Sequence, residues 1–215
     1  MPSEIELFMK QSVSKLKAAR KHGHEVHIQF LGDVMGETIA KLQRVFEKIR
    51  ELEVPEVTLA ISSGGGTTVL SFETYNILRA VRSVVLTTHN IGVIASAAHE
   101  LFLSADPERR FAAPFSFFVF HSGTLALRSN SMTTAEIRNQ LEYSQMFDKL
   151  LEQIILKETR IHRQRFREVL RDRHDWHLPA QEAVRSGYLH GKQQVKEYTI
   201  PKNASVISLY DPEQK

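Results

Sequence analysis

Apolar residues recur along this chain with two alternating periods, and the switches between them mark out its elements. In residues 4–20, Ile5, Leu7, Phe8, Val13 and Leu16 stand among charges, which predicts an amphipathic N-terminal helix. The period then drops to two: Val26, Ile28 and Phe30 alternate in HEVHIQFLG, a strand signal. In ETIAKLQRVFEKIREL, Ile39, Leu42, Val45, Phe46 and Ile49 return to helical spacing. Pro55 breaks the chain before VTLAIS, which reads as a buried strand, and SGGG after it reads as a loop. Residues 67–82 are helical in pattern, with Leu70, Ile77, Leu78 and Val81 on one side. SVVLTTHN is a further strand, and after it, at Ser96, a short apolar stretch gives way to a helical one. FSFFVFH is apolar almost throughout, as expected of a strand covered on both faces. Strands alternating with helices predict an α/β architecture built of βαβ crossovers.

After His121 the pattern changes. SGTLALRSNSM is polar and loop-like, and Thr133 with Glu136 then forms a capping-box pair at the start of a long helix. The pattern carries this helix to about Thr159, a length unusual in a compact domain. Ile137, Leu141, Phe147, Leu150, Leu151, Ile154 and Ile155 predict packing along most of it. A long helix projecting from an α/β body is a candidate subunit contact. Neither an internal repeat nor a linker divides the chain, so residues 1–215 are read as one domain.

Composition narrows the chemistry. With no cysteine among the 215 residues, disulfides, thiolate catalysis and Cys-based zinc sites are excluded. The net charge is only +3, and its densest basic stretch, RIHRQRFREVLRDRHD at residues 160–175, is interrupted by Glu168, Asp172 and Asp175. Phe166 is its one aromatic, so the stretch reads as a solvated helix face rather than a nucleic-acid patch. Residues 1–20 carry Glu4, Glu6, Lys10, Lys15, Lys17 and Arg20 and lack the apolar core of a signal peptide. No apolar run is long enough to cross a bilayer. The expectation is a cytoplasmic protein without a membrane or nucleic-acid partner.

The candidate sites are few. SSGGGTT, residues 62–68, lacks the lysine of a nucleotide-binding loop, Thr67 standing in its place, and Val69 occupies the third glycine position of a dinucleotide fingerprint. What remains is a flexible strand-to-helix loop whose backbone N–H groups could bind an anion or a developing oxyanion, or a simple tight turn. His22, His24 and His27 have no helical ligand spacing and read as exposed loop residues; HEL at 99–101 is not a zinc-protease motif, because Leu103 replaces the second histidine. No metal or cofactor is expected. Ser96, amid Ala95, Ala97 and Ala98, is either a small packing residue or a nucleophile, and a nucleophile needs a base and an orienting carboxylate. His121 ends an apolar strand and would require a partner, which Asp172 or Asp175 could supply. Spacing alone leaves both readings of Ser96 open.

Four ordered motifs make the chain resemble the proteolytic subunit of the Clp protease, a family of serine peptidases. ISSGGG is similar to Ile-Asn-Ser-Pro-Gly-Gly, and IGVIASAA to Ile-Gly-Gln-Ala-Ala-Ser-Met-Gly. RRFAAPFSFFVFHSG is similar to Lys-Arg-Phe-x-x-Pro-x-Ser-x-x-Met-Ile-His-Gln-Pro, and DWHLPAQEAVRSGYL to Asp-Arg-Phe-x-x-Ala-x-Glu-Ala-x-x-x-Gly-Leu. The resemblance covers roughly residues 25–190. It implies stacked right-handed β-α turns forming a spiral, a fold shared with crotonases, with residues 133–159 as a protruding handle helix. It implies Ser96 as nucleophile, His121 as general base, Asp175 as its carboxylate, kept in register by EAVRSGYL, and the backbone N–H groups of Gly66 and Ala97 as oxyanion hole. It further implies a peptide or unfolded-protein substrate and a homo-oligomeric ring or double ring, a tetradecamer in the family.

The departures are specific. Gly64 replaces the usual proline, Ala98 replaces a glycine, and residues 1–24 do not match the family's axial-pore segment. The apolar cleft that receives an ATP-driven unfoldase is depleted, with Thr58, Ala60, Ala80 and His89 at its positions, so an AAA+ partner is in doubt. A crotonase-like acyl-CoA enzyme and a catalytically silent assembly subunit are the competing readings.

Overall fold

The computed structural model describes residues 3–122, 131–172 and 175–209, the side chain of Asp172 excepted. Helix α1 (Glu4–His22) is followed by β1 (Val26–Leu31), α2 (Gly36–Glu51), β2 (Glu56–Ser63), α3 (Thr68–Ala80) and β3 (Val85–Ala95). Then come α4 (Ala98–Leu103), β4 (Arg110–Ala112), β5 (Phe117–Phe120), α5 (Thr134–Glu158), α6 (Arg163–Asp172), β6 (Trp176–Pro179), α7 (Ala180–Arg185) and β7 (Ser205–Ser208). The loop expected at residues 123–130 lies outside the described residues.

The strands form one sheet in the order β6-β5-β3-β2-β1-β7, with β4 also pairing β3. β1, β2 and β3 are parallel, as strands joined by helical crossovers must be. Their apolar residues are buried in continuous runs: Val57, Leu59, Ala60 and Ile61 of β2 are inaccessible to solvent. Ile39, Leu42, Val45, Phe46 and Ile49 form the stripe of α2 that covers the sheet. Each such side chain contributes roughly 1.5–3 kcal/mol by burial. β3 is long enough to serve two neighbours in turn. Thr88–Asn90 pair with β4, and Val93–Ala95 pair with β5. β6 then runs antiparallel to β5 and closes that edge. β7 lies parallel to β1 at the far edge, a strand that the sequence pattern did not announce.

Three expectations are corrected. Phe118, Val119 and Phe120 are buried, but Phe117 is 41% exposed and Phe115 96% exposed, because the strand begins only at Phe117 and Phe115 sits on the preceding turn. His27 is not an exposed loop residue. It lies in β1, 3% exposed, with Nδ1 on the Tyr198 hydroxyl and Nε2 on Glu25. Helix α5 does not pack along most of its length. Ile137, Leu141, Tyr143, Met146 and Leu150 are exposed, Phe147 stacks on Phe72 of α3, and only the last turns are buried.

The root of α5 is held firmly. Arg110, 1% exposed, pairs with Glu158 at the helix C-terminus at 2.5 Å and donates to the carbonyls of Leu103, Ala105 and Glu158. Tyr75 donates its hydroxyl to the same carboxylate. Both buried charges are thus paired and hydrogen-bonded, the condition under which such a pair is tolerated. In α6, Phe166 is buried and Arg167 pairs with Glu152, so the basic stretch is an amphipathic helix with a solvated face. No described helix is long and apolar enough to cross a membrane.

Candidate active site

Ser96 stands between the last residue of β3 and the first turn of α4 with φ of 50°. A left-handed backbone at a residue other than glycine costs on the order of 1–3 kcal/mol and persists only where the surroundings enforce it. Here they do. Ser96 N–H donates to the Val119 carbonyl of β5 at 3.4 Å, and its own carbonyl accepts His99 N–H at 3.1 Å. All six residues of α4 are buried, which anchors the exit of the turn. Neighbours are small because there is no room: Ala97 and Ala98 are essentially inaccessible.

The glycine loop after β2 lies directly against this turn. A Cβ on Gly65 would stand 2.5 Å from Ser96 Cβ and 3.1 Å from Ala97 N, so only glycine permits the approach. Val34 N–H donates to Gly65 O at 2.7 Å, and Thr67 N–H donates to Val34 O at 2.8 Å. This parallel bridge of Val34 with Gly66 turns the Gly66 N–H away from Val34. Among the described residues, neither Gly66 N–H nor Ala97 N–H has an acceptor. The loop thus makes its tight turn directly against Ser96.

The sheet brings the other two residues to the same end. Ala95 pairs with Val119, so Ser96 leaves β3 beside the end of β5, where His121 follows Phe120. Phe120 pairs with Trp176 in antiparallel register, which sets His121 opposite Asp175 as the chain leaves β5 and enters β6. Their side chains are not joined. His121 Nδ1 lies 2.8 Å from the Ser122 carbonyl, and Asp175 is exposed. A carbonyl has no proton to give, so Nδ1 carries the hydrogen and Nε2 keeps its lone pair, the tautomer that a general base needs. The side chain of Asp172, the other candidate, lies outside the described residues.

Behind Ser96 the core holds polar groups that sequence reasoning passed over. His99 and Glu100 are each 1% exposed. Burial pushes the His99 imidazole down to about 4, so it is neutral at pH 7. Burial pushes the Glu100 carboxyl up to about 8, and its Oε2 has no hydrogen-bond partner among the described residues. The available signal was two ionisable residues in HELFL, a helix otherwise apolar and too short to have a solvent face. His22 and His24 stack on each other at 5.4 Å, and among the described residues no group of three His, Asp or Glu could hold a metal ion.

Comparison with known proteins places the family and the fold. The sequence model of the Clp protease family matches residues 19–191. The ATP-dependent Clp protease proteolytic subunit 2 of Borreliella burgdorferi is 32% identical over 131 residues, 59% of this chain. The aligned part spans 64% of that relative's length. A ClpP1 variant from Listeria monocytogenes superposes with a TM-score of 0.69 over 86% of this chain and 99% of its own, at 16% identity, a likeness of fold. With a family match running from the end of α1 past α7, through the glycine loop, the Ser96 turn and β5, the chain belongs to the Clp protease family.

Proposed function

We propose that this protein is a serine endopeptidase in which Ser96 is the nucleophile, His121 the general base and Asp175 the residue opposite it. The observation that carries the reading is the left-handed Ser96 turn packed against Gly65, with two unpaired backbone N–H groups beside it. In the acylation step Ser96 Oγ attacks the scissile carbonyl and His121 Nε2 takes the hydroxyl proton. The oxyanion is received by Gly66 and Ala97 N–H, and the imidazolium returns the proton to the leaving amine as the C–N bond breaks. Water then repeats the sequence on the acyl-enzyme and frees Ser96. In this reading Asp175 comes onto the imidazole when peptide is bound or subunits assemble. A crotonase-like acyl-CoA enzyme would use the same two donors, but it gives the enforced backbone of Ser96 no purpose.

The exposed apolar face of α5 supports a homo-oligomeric ring, single or double, since a lone subunit leaves Leu141, Met146 and Leu150 in water. Leu150→Glu should leave the subunit folded and shift sedimentation toward monomers. A cytoplasmic site of action goes with this reading. Tight docking of an AAA+ unfoldase is not part of it. Ala60 and His89, two of the cleft positions, are buried, and the chain's own Lys196 and Tyr198 lie against His89. Lys196 Nζ sits 3.5 Å from the Phe111 ring centre, and Tyr198 meets the His89 ring edge-on.

The test is a serine-directed fluorophosphonate on the assembled protein, with peptide mapping of the label. Labelling at Ser96 that Ser96→Ala abolishes and His121→Ala suppresses is the expected result. Assembled, folded protein without label would mean a silent assembly subunit, and label elsewhere would overturn the assignment.

A further inference from the structure

His99 is a buried polar residue on the core side of the Ser96 turn, and its bonds reach both halves of the site. Its Nε2 lies 2.9 Å from the Val119 carbonyl and its Nδ1 2.7 Å from the Tyr188 hydroxyl. The carbonyl can only accept, so Nε2 carries the hydrogen, Nδ1 is the acceptor, and Tyr188 donates to it. Tyr188 is fully buried, and burial pushes its hydroxyl well above the ordinary tyrosine range, so that proton stays in place. The Val119 carbonyl, with two lone pairs, receives Ser96 N–H as well. The His99 ring also lies flat on Phe120, with centroids 4.0 Å apart and planes 11° from parallel. Phe120 is the residue before His121. One imidazole therefore touches the acceptor of the nucleophile's N–H and the side chain preceding the base, while the backbone N–H of the same residue donates to the carbonyl of Ser96 itself.

We propose that His99 is a positioning residue: held by Tyr188, it clamps the Val119 carbonyl and the Phe120 ring and so fixes Ser96 against His121. The proposal rests on the reading of Ser96 as nucleophile. His99 has no part in the proton transfers, because at 1% exposed it meets neither substrate nor solvent. Its donor gives the Val119 carbonyl a second bond beside the 3.4 Å Ser96 N–H bond, so α4 is tied to the end of β5 at the point where the β3–β5 pairing stops. A small displacement between nucleophile and base is costly in rate, about a hundredfold for an ångström.

The experiment compares His99→Phe, which keeps the ring and loses both hydrogen bonds, with His99→Gln, which restores a donor toward Val119. Fluorophosphonate labelling of Ser96 and hydrolysis of a short fluorogenic peptide are followed on assembled protein. Expected are a roughly tenfold lower labelling rate and kcat in the Phe variant with KM unchanged, and substantial recovery in the Gln variant. Amide exchange at Ser96 N–H, which needs no catalysis, should accelerate in the Phe variant and not in the Gln variant. Should His99→Phe not fold, Tyr188→Phe removes one hydroxyl only and should slow labelling about threefold, in the direction of the Phe variant. Wild-type labelling rates and exchange in these folded variants would overturn the positioning role alone. An unlabelled wild-type enzyme would overturn the nucleophile assignment and the inference with it.

Discussion

Ser96 and His121, the proposed nucleophile and base, are built to different degrees by this chain. Ser96 is enforced from every side: Gly65 against its Cβ, Val119 on its N–H, His99 on its carbonyl, and a fully buried α4 behind it. His121 sits where β5 ends, half-buried, with its Nδ1 on the next residue's carbonyl and Asp175 exposed across the register. The difference is one of depth. A turn embedded in a core is fixed by many contacts that must break together, whereas a residue at a strand's end is fixed by the few groups that reach it. The serine half is therefore complete in the single chain. His121 is held in the tautomer and register that the proposed role needs, with Asp175 opposite it and not joined to it.

The largest effect should come from disturbing the enforced half. Gly65→Val brings side-chain atoms onto Ser96 Cβ and Ala95 O, and the positive φ of 105° forbids the β-branched residue in any case. Peptide hydrolysis should fall by more than about a thousandfold, with the fold retained by circular dichroism, since one loop can shift while the sheet stays. Near-normal activity would show that the close approach is not needed.

The base half should respond unequally. His121→Ala should lower kcat by about a thousandfold or more, the scale of losing a triad member. Asp175→Asn should cost only about tenfold, because the Ser122 carbonyl already selects the useful tautomer. Equal losses in the two variants would mean that Asp175, not Ser122, orients the ring during turnover.

The smallest effect is on stability and has a pH signature. A Glu100 that keeps its proton to about 8 in the folded chain, against 4.5 as its ordinary value, binds more protons folded than unfolded between those two values. Its contribution therefore worsens as pH rises across that window and levels off above about 8. Glu100→Gln removes the titration, so its advantage in unfolding free energy should be small near pH 5 and largest near pH 8, by a few kcal/mol at most (~1.4 per pH unit), read from denaturant unfolding at each pH. His99 has the opposite sign. Its depressed value makes stability fall as pH drops from the ordinary histidine range toward about 4. A pH-independent gain from Glu100→Gln would place that carboxyl in contact with water.

Some of this was legible in advance. The helix α2 and strands β1 and β2 follow from periodicity, because each side of these elements meets a uniform environment, core or solvent. The four motifs located Ser96, His121 and Asp175 by resemblance, but nothing in their spacing could say that Nδ1 would turn to Ser122. β7 and the covering of His89 by Lys196 and Tyr198 were not legible. They join segments more than 100 positions apart, and local pattern carries no information on which distant strand edge a short run will pair with. His27 was misplaced and the part played by His99 passed over for a related reason: a histidine reads as polar until its partners are known, and Tyr198 and Tyr188 supply them only in the folded chain.

By itself, then, the sequence determined the alternation of strands and helices, the capped long helix with its apolar face, the absence of thiol chemistry and the small residues around Ser96. These are properties of neighbours along the chain, set by side-chain size, charge and period. Only the tertiary structure decided that Ser96 would be held in a left-handed turn against Gly65, and that α5 would be anchored at its root by Arg110 and bare beyond it. It also decided that a neutral imidazole would lie buried behind Ser96, on the Val119 carbonyl and the Phe120 ring of β5. Each of these arises where three or more distant segments compete for one volume, and close packing permits a single arrangement that no one segment encodes.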